Sequence, residues 1–147
     1  MFKVEETSNY LIYIQTAYEA DPDLITKWHV IAGSSLNKCV DRTVADLASF
    51  DRLKFYVVHE DGKFSGYFGT EFNGAFLSTL FVMPNFRKKK DEFWAEIEYK
   101  VTKKFWAGIF SKNTPCMRFY AKHGKVEVKG MMPDGEVTVF EFERAGN

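Results

Sequence analysis

Two glycine-ended turns set the frame for the middle of this chain. Asp61-Gly62 and Asn73-Gly74 each supply the positive φ angles that a tight hairpin needs, and each sits between β-rich runs. The runs are Phe55-Tyr56-Val57-Val58, then Phe64 to Thr70, then Ala75 to Val82, the last a buried strand closed by Pro84. Three consecutive antiparallel strands are therefore predicted.

Periodicity fills in the rest. A short strand near Phe2 to Glu5 precedes Leu11, Ile14 and Tyr18 at helical spacing, which Asp21-Pro22 interrupts. Leu24, Ile25, Trp28 and Ile31 repeat the pattern up to Gly33, as do Val40, Val44 and Leu47 before Phe50. Beyond the hairpins, Phe93, Ile97 and Val101 fall four apart among lysines and glutamates, which predicts an amphipathic helix with a basic polar face. Phe105 to Phe110 reads as a buried strand. Asn113-Thr114-Pro115 starts a helix, with a capping hydroxyl and a proline in its first turn, and Gly124 ends it. Val126 to Met131 and Val137 to Phe142 form a last hairpin through Pro133-Asp134-Gly135. The predicted order is β, two or three α, βββ, α, β, α, ββ.

At 147 residues, 46% of them hydrophobic, the chain is long enough for one sizeable core, so a single domain over 1–147 is expected. Fifteen Phe predict large rings between a sheet and its helices. No apolar run approaches the length of about 20 that a membrane-spanning helix needs. The start, Met1 to Glu6, lacks the basic and apolar regions of a secretory signal, so a cytoplasmic protein is expected. Cys39 and Cys116 are too few for a disulfide scaffold, and no metal cluster is read; both are expected reduced and packed. The net charge is zero, yet residues 1–86 carry −4, residues 87–129 carry +7 and residues 130–147 carry −3. The central segment could attract a polyanion, or could simply be a solvated helix face.

Three segments carry a resemblance to the GNAT superfamily of N-acyltransferases, which covers most of the chain. Asp61-Gly62-Lys63-Phe64-Ser65-Gly66-Tyr67 resembles the family's dGklvGy hairpin, whose second Gly allows close backbone packing. Leu80-Phe81-Val82-Met83-Pro84-Asn85-Phe86-Arg87 is similar to its V-x-P-x-x-R strand. Asn113 to Gly124 looks like its N-x-x-A-x-x-F-Y-x-x-x-G helix, with Asn113, Phe119, Tyr120 and Gly124 in register. The resemblance implies an α/β (α+β) fold. Its sheet would be central, twisted and mostly antiparallel, with 6–7 strands and about four helices, and its fourth and fifth strands would be splayed. It also implies acetyl-CoA as cosubstrate and an amine as acceptor.

Carried over residue by residue, the backbone of Phe81, Val82 and Met83 would bond the pantetheine arm, and Asn113 would contact the cofactor. Tyr120 would be the general acid, although a tyrosine on a helix face is by itself more often a core aromatic. Glu71 is the candidate base and His59 an alternative. Cys116, at a position the family gives to Ala, is set aside as a nucleophile. One departure is marked: the family's pyrophosphate loop has glycines where this chain has Lys90 and Glu92, in Arg87-Lys88-Lys89-Lys90-Asp91-Glu92. Either Arg87, Lys88, Lys89 and Lys90 replace amide contacts with charge, or the cofactor site has been lost. The second alternative is an inactive protein of this fold that binds other proteins or serves as a structural or internal virion component, since small phage-encoded GNAT-like proteins look similar. Nucleic acid is a less favoured partner, because Glu96 and Glu98 interrupt the basic helix. A monomer or a homodimer paired through a tail edge strand is expected.

Overall fold

The computed structural model describes residues 1–21, 36–49, 52–131 and 137–144. The elements follow in the order β1 (Phe2–Glu6), α1 (Tyr10–Ala20), α2 (Leu36–Ser49), β2 (Lys54–Glu60), β3 (Lys63–Glu71), β4 (Phe76–Val82), α3 (Lys90–Glu98), β5 (Lys104–Phe110), α4 (Thr114–His123), β6 (Gly124–Met131) and β7 (Val137–Arg144). The strands form one sheet in the order β1-β2-β3-β4-β5-β7-β6. Every neighbouring pair is antiparallel except β4 and β5.

Alternation along each strand divides the core between the two faces of the sheet. On β2, Phe55 and Val57 pack with Ile14, Ala17 and Tyr18 of α1 and with Val40 and Leu47 of α2. Tyr56 and Val58 point the other way, into a cluster holding Phe93, Trp94 and Ile97 of α3 and Tyr120 of α4. Trp94 anchors that second layer. It is 1% exposed, and the rings of Phe105, Phe119, Tyr120, His123 and Phe142 lie 5.2–6.2 Å from its own. Each such pair contributes about 0.5–1.5 kcal/mol beyond area burial. The Phe-rich composition thus fills the predicted place.

The hairpin signals are borne out. Asp61 and Gly62 both take positive φ (52° and 76°), the pairing a two-residue hairpin turn requires, and Phe72, Asn73 and Gly74 (53°, 55° and 89°) turn the chain from β3 into β4. Two details differ from the sequence reading. Helix α3 stops at Glu98, so Val101 lies beyond it: the Thr102 amide donates to the Gly74 carbonyl at 3.0 Å, drawing the chain out of the helix while Val101 stays buried. The start of α4 is capped by an amide rather than a hydroxyl, because the Asn113 side chain accepts from the Cys116 N–H at 3.2 Å. The expected helix around Leu24 to Ile31 and the turn Pro133-Asp134-Gly135 lie outside the described residues. No described helix is long and apolar enough to cross a membrane.

Candidate active site

The one parallel pair in the sheet barely forms. Strands β4 and β5 share only two registered positions, Phe76 with Trp106 and Leu77 with Ala107, and then part. The cause is visible in the ladder with β3, where Thr70 opposes Leu77 and Gly69 opposes Thr79, so Ser78 is squeezed out as a bulge. The extra residue reverses the alternation of β4. Before it, Leu77 faces the α3/α4 layer; after it, Leu80 and Val82 face that layer, while Phe81 packs against α1 and α2. A bulged strand bends, and here it bends away from β5.

Three residues were expected to offer backbone groups to this gap, and the register separates them. The Met83 N–H donates to the Ser65 carbonyl at 2.9 Å, and the Phe81 carbonyl lies where a Cβ on Gly66 would come within 2.2 Å of it. Phe81 therefore faces β3 with its backbone, and Met83 spends its N–H on β3 and its carbonyl on the Phe86 N–H at 2.9 Å. By alternation Val82 turns its own toward the gap. There the Val82 carbonyl accepts from Arg87 Nε at 3.1 Å. Gly66, the second glycine of the hairpin motif, is required because the β3 backbone runs so close to β4.

The basic stretch after β4 is two 3-10 turns, Pro84–Lys89, running straight into α3. Most of its charge has a partner. Arg87 donates to Asp21 at 2.5 Å and lies over the Phe81 ring, so it ties the end of β4 to the end of α1. Lys89 donates to Glu60 at 2.5 Å; that bond holds the Glu60 carboxyl below its usual range and raises the Lys89 ammonium. Lys90 sits over the Phe119 ring, 5.6 Å from its centre. Only Lys88 has no partner among the described residues. Behind it, Asp91 accepts from Lys122 (3.0 Å) and meets His123 Nε2 (3.0 Å), which hold its carboxyl below the usual range, Lys122 most strongly.

On α4, Cys116 and Tyr120 stand one turn apart on the core-facing side. The Tyr120 hydroxyl has no hydrogen-bond partner among the described residues, and its ring packs edge-on against Trp94 and Phe140. Burial pushes its phenol well above the usual range, with the neighbouring Cys116 adding to the effect. Burial likewise pushes the Cys116 thiol up to about 12, which leaves it a poor nucleophile. Tyr120 shares its cluster with Leu77, Leu80 and Val82 of β4 and Ala107 and Ile109 of β5, the residues that flank the gap on this face.

Glu71 belongs to the other face. It is 9% exposed, ends β3 and accepts from the Ser78 hydroxyl at 2.7 Å, so its carboxylate lies at the vertex where β4 leaves β5. His59 is elsewhere, on β2 opposite Lys3, with its ring edge-on to Tyr13 and Phe64. The structure therefore sets Glu71 at the closed end of the β3–β4 pair, opposite Phe76, sets Val82 and Arg87 at its open end, where Val82 opposes Gly66, and keeps His59 apart on β2. Ser78, Asp21 and Glu60 were not singled out by sequence. Ser78 betrays itself only as a polar residue inside an apolar strand, and Asp21 and Glu60 are 66 and 29 residues from their partners.

No family model matches the sequence, and no curated protein matches it significantly. Solved structures do match over nearly the whole chain. An acetyltransferase from Thermus thermophilus superposes with a TM-score of 0.64 at 14% identity, over 96% of each chain. The PaiA N-acetyltransferase of Thermoplasma acidophilum, solved with coenzyme A, gives 0.66 at 14% over 97% of this chain and 99% of that one. The spermidine N-acetyltransferase of Vibrio cholerae, solved with CoA and spermine, gives 0.55 at 10% over 98% and 96%. The chain has the GNAT fold, with its mixed seven-stranded sheet and parallel β4–β5 pair.

Proposed function

We propose that this chain is an acyl-CoA-dependent N-acyltransferase that passes an acetyl group from acetyl-CoA to an amine by direct attack. The observation that carries the reading is the fork: a bulge at Ser78 parts β4 from β5 and leaves the Val82 backbone without a strand partner on that side. A slot between parallel strands gives a thioester arm backbone groups to bond. Structures of the same fold solved with coenzyme A support the choice of ligand.

In this reading the Val82 carbonyl holds the arm once Arg87 gives it up, with Phe81 and Met83 fixing its strand against β3. Lys88 is free to meet a phosphate; Arg87, Lys89 and Lys90 reach one only by exchanging their present partners. Asn113 borders the slot at the start of α4. Acetyl-CoA supplies a thioester carbonyl, open to attack once the acceptor has lost a proton. Glu71, at the vertex on the α1/α2 face, accepts that proton from the ammonium through a water relay, since the register sets it several residues along the ladder from Val82. The Val82 N–H donates to the oxygen as it gains charge. Tyr120, on the α3/α4 face, keeps its proton because it is buried and gives it to the leaving sulfur. The acid and the base thus approach the gap from opposite faces of the sheet.

A second reading has its own observation. Lys90 and Glu92 stand where glycines would admit a pyrophosphate, Arg87 already fills the Val82 carbonyl, and Lys89 is held by Glu60. These contacts suit a GNAT-fold protein that does no acyl chemistry, a binding or virion component among the options. Thermal unfolding with millimolar acetyl-CoA or CoA separates the two. Acyl transfer requires stabilisation, about 2.7 kcal/mol at a hundredfold excess over Kd, and thiol release when amines are supplied. Neither ligand raising the melting temperature would decide for the second reading.

A further inference from the structure

Away from the fork, where the end of α4 meets the start of β5, lies an open cleft of about 550 Å3. Lys103, Lys122, Lys125 and Arg144 line it against a single carboxylate, Glu143, with Gly124 between them. The sheet register builds it: Gly124 opposes Arg144, Lys125 opposes Glu143, and the Arg144 N–H donates to the Lys103 carbonyl at 3.0 Å. The fork opens toward the far end of β5, so this cleft shares no residue with the proposed acyl site.

Charge accounting leaves the cleft short of acceptors. Lys122 is taken by Asp91 at 3.0 Å. Glu143 stands 3.8 Å from Lys104, which lies outside the cleft. One arm of Arg144 reaches the Glu98 carbonyl at 3.2 Å and the Glu98 carboxylate at 3.8 Å. Two donors remain, the exposed Lys103 and Lys125 ammonium groups, which have no acceptor among the described residues. Arg144 Nε is unpaired but sealed from solvent, so Arg144 lends the cleft its charge and not a hydrogen bond from that atom.

We propose that this cleft binds a single phosphate group, free or as the monoester terminus of a small molecule. A tetrahedral dianion offers acceptor oxygens to both ammonium groups at once, beside the positive charge of the Arg144 guanidinium, and charge-assisted bonds of this kind are the strong ones. Glu143 in the wall and Asp91 beside Lys122 repel a long polyanion, so a single phosphate suits the cleft better than a nucleic-acid backbone.

The test is titration of the protein, free of any CoA, with inorganic phosphate and separately with glycerol phosphate. Amide chemical shifts around Gly124 and Arg144 are followed, with sodium chloride at matched ionic strength as the control. Saturable shifts with either phosphate and none with chloride are expected, and the tighter of the two identifies the source. The double variant Lys103→Ala/Lys125→Ala, which removes two exposed side chains and should fold, is expected to weaken binding at least about tenfold. Shifts that chloride reproduces would overturn the proposal, as would binding unchanged in the double variant. So would binding of a duplex oligonucleotide through these lysines without any response to phosphate.

Discussion

The Ser78 hydroxyl donates to the Glu71 carboxylate at 2.7 Å, joining the one residue extruded from the β4 ladder to the last residue of β3. The bond fixes a nearly buried carboxylate at the point where the sheet divides. Glu71→Gln keeps the shape and can still accept from Ser78, but it cannot take up a proton. Acetyl transfer is expected to fall about 10²- to 10⁴-fold, with stabilisation by acetyl-CoA retained. Steady-state kinetics beside thermal shifts measure both, and an unaltered rate would remove Glu71 from the mechanism.

Tyr120→Phe asks whether the phenol does chemistry or only fills space. Its hydroxyl has no partner among the described residues, so the fold should lose little: within about 0.5–1 kcal/mol by urea denaturation, less than a net hydrogen bond. Turnover should nonetheless drop by about 10² or more, with CoA binding kept. A variant with full activity would return Tyr120 to the core as one aromatic among many.

Gly66→Ala should be severe despite its size. A Cβ there would stand 2.2 Å from the Phe81 carbonyl and 2.9 Å from the Phe93 ring, on a backbone with φ at 154°. Either β3 moves off β4 or the residue leaves its conformation. A loss of about 2 kcal/mol or more is expected in denaturant titration, since strain and overpacking act together. Because β3 also aligns β4, ligand stabilisation should decline as well.

Much of the frame was legible because it is written in local chemistry. Asp61-Gly62 names its own turn, Phe55 to Val58 its alternation, and Asn113 and Tyr120 stand in a motif with fixed spacing. The gap itself was reached only through resemblance. The bulge at Ser78 depends on which β3 residue faces which β4 residue, and no window of sequence contains both strands' register. The lysine run shows the same limit. Lys88, Lys89 and Lys90 look equivalent in sequence, yet Lys89 meets Glu60 and Lys90 meets Phe119 only once the sheet and α4 are in place. The early end of α3 follows from a bond to Gly74, 28 residues away from Thr102.

The Lys89–Glu60 pair gives a prediction in pH and in ligand binding together. Folding lowers the Glu60 carboxyl, so its contribution is fully present above the ordinary carboxylate range and is lost as pH falls through the depressed folded value. Folding raises the Lys89 ammonium, so its contribution is present below about 10.5 and is lost as pH rises through the raised value. Lys89→Met should therefore be less stable than the native chain across the neutral range, with the difference closing toward both extremes. Urea midpoints between about pH 3 and pH 11 test this; a pH-independent difference would mean that packing of the aliphatic stem, not charge, holds the turn. Glu60→Gln leaves the lysine in place and releases its charge. If phosphates of acetyl-CoA are met by this stretch, the variant should unfold more easily yet bind acetyl-CoA more tightly. Calorimetric titration at two salt concentrations reads that trade. Binding that stays unchanged would confine the phosphate role to Lys88 and the residues beside it.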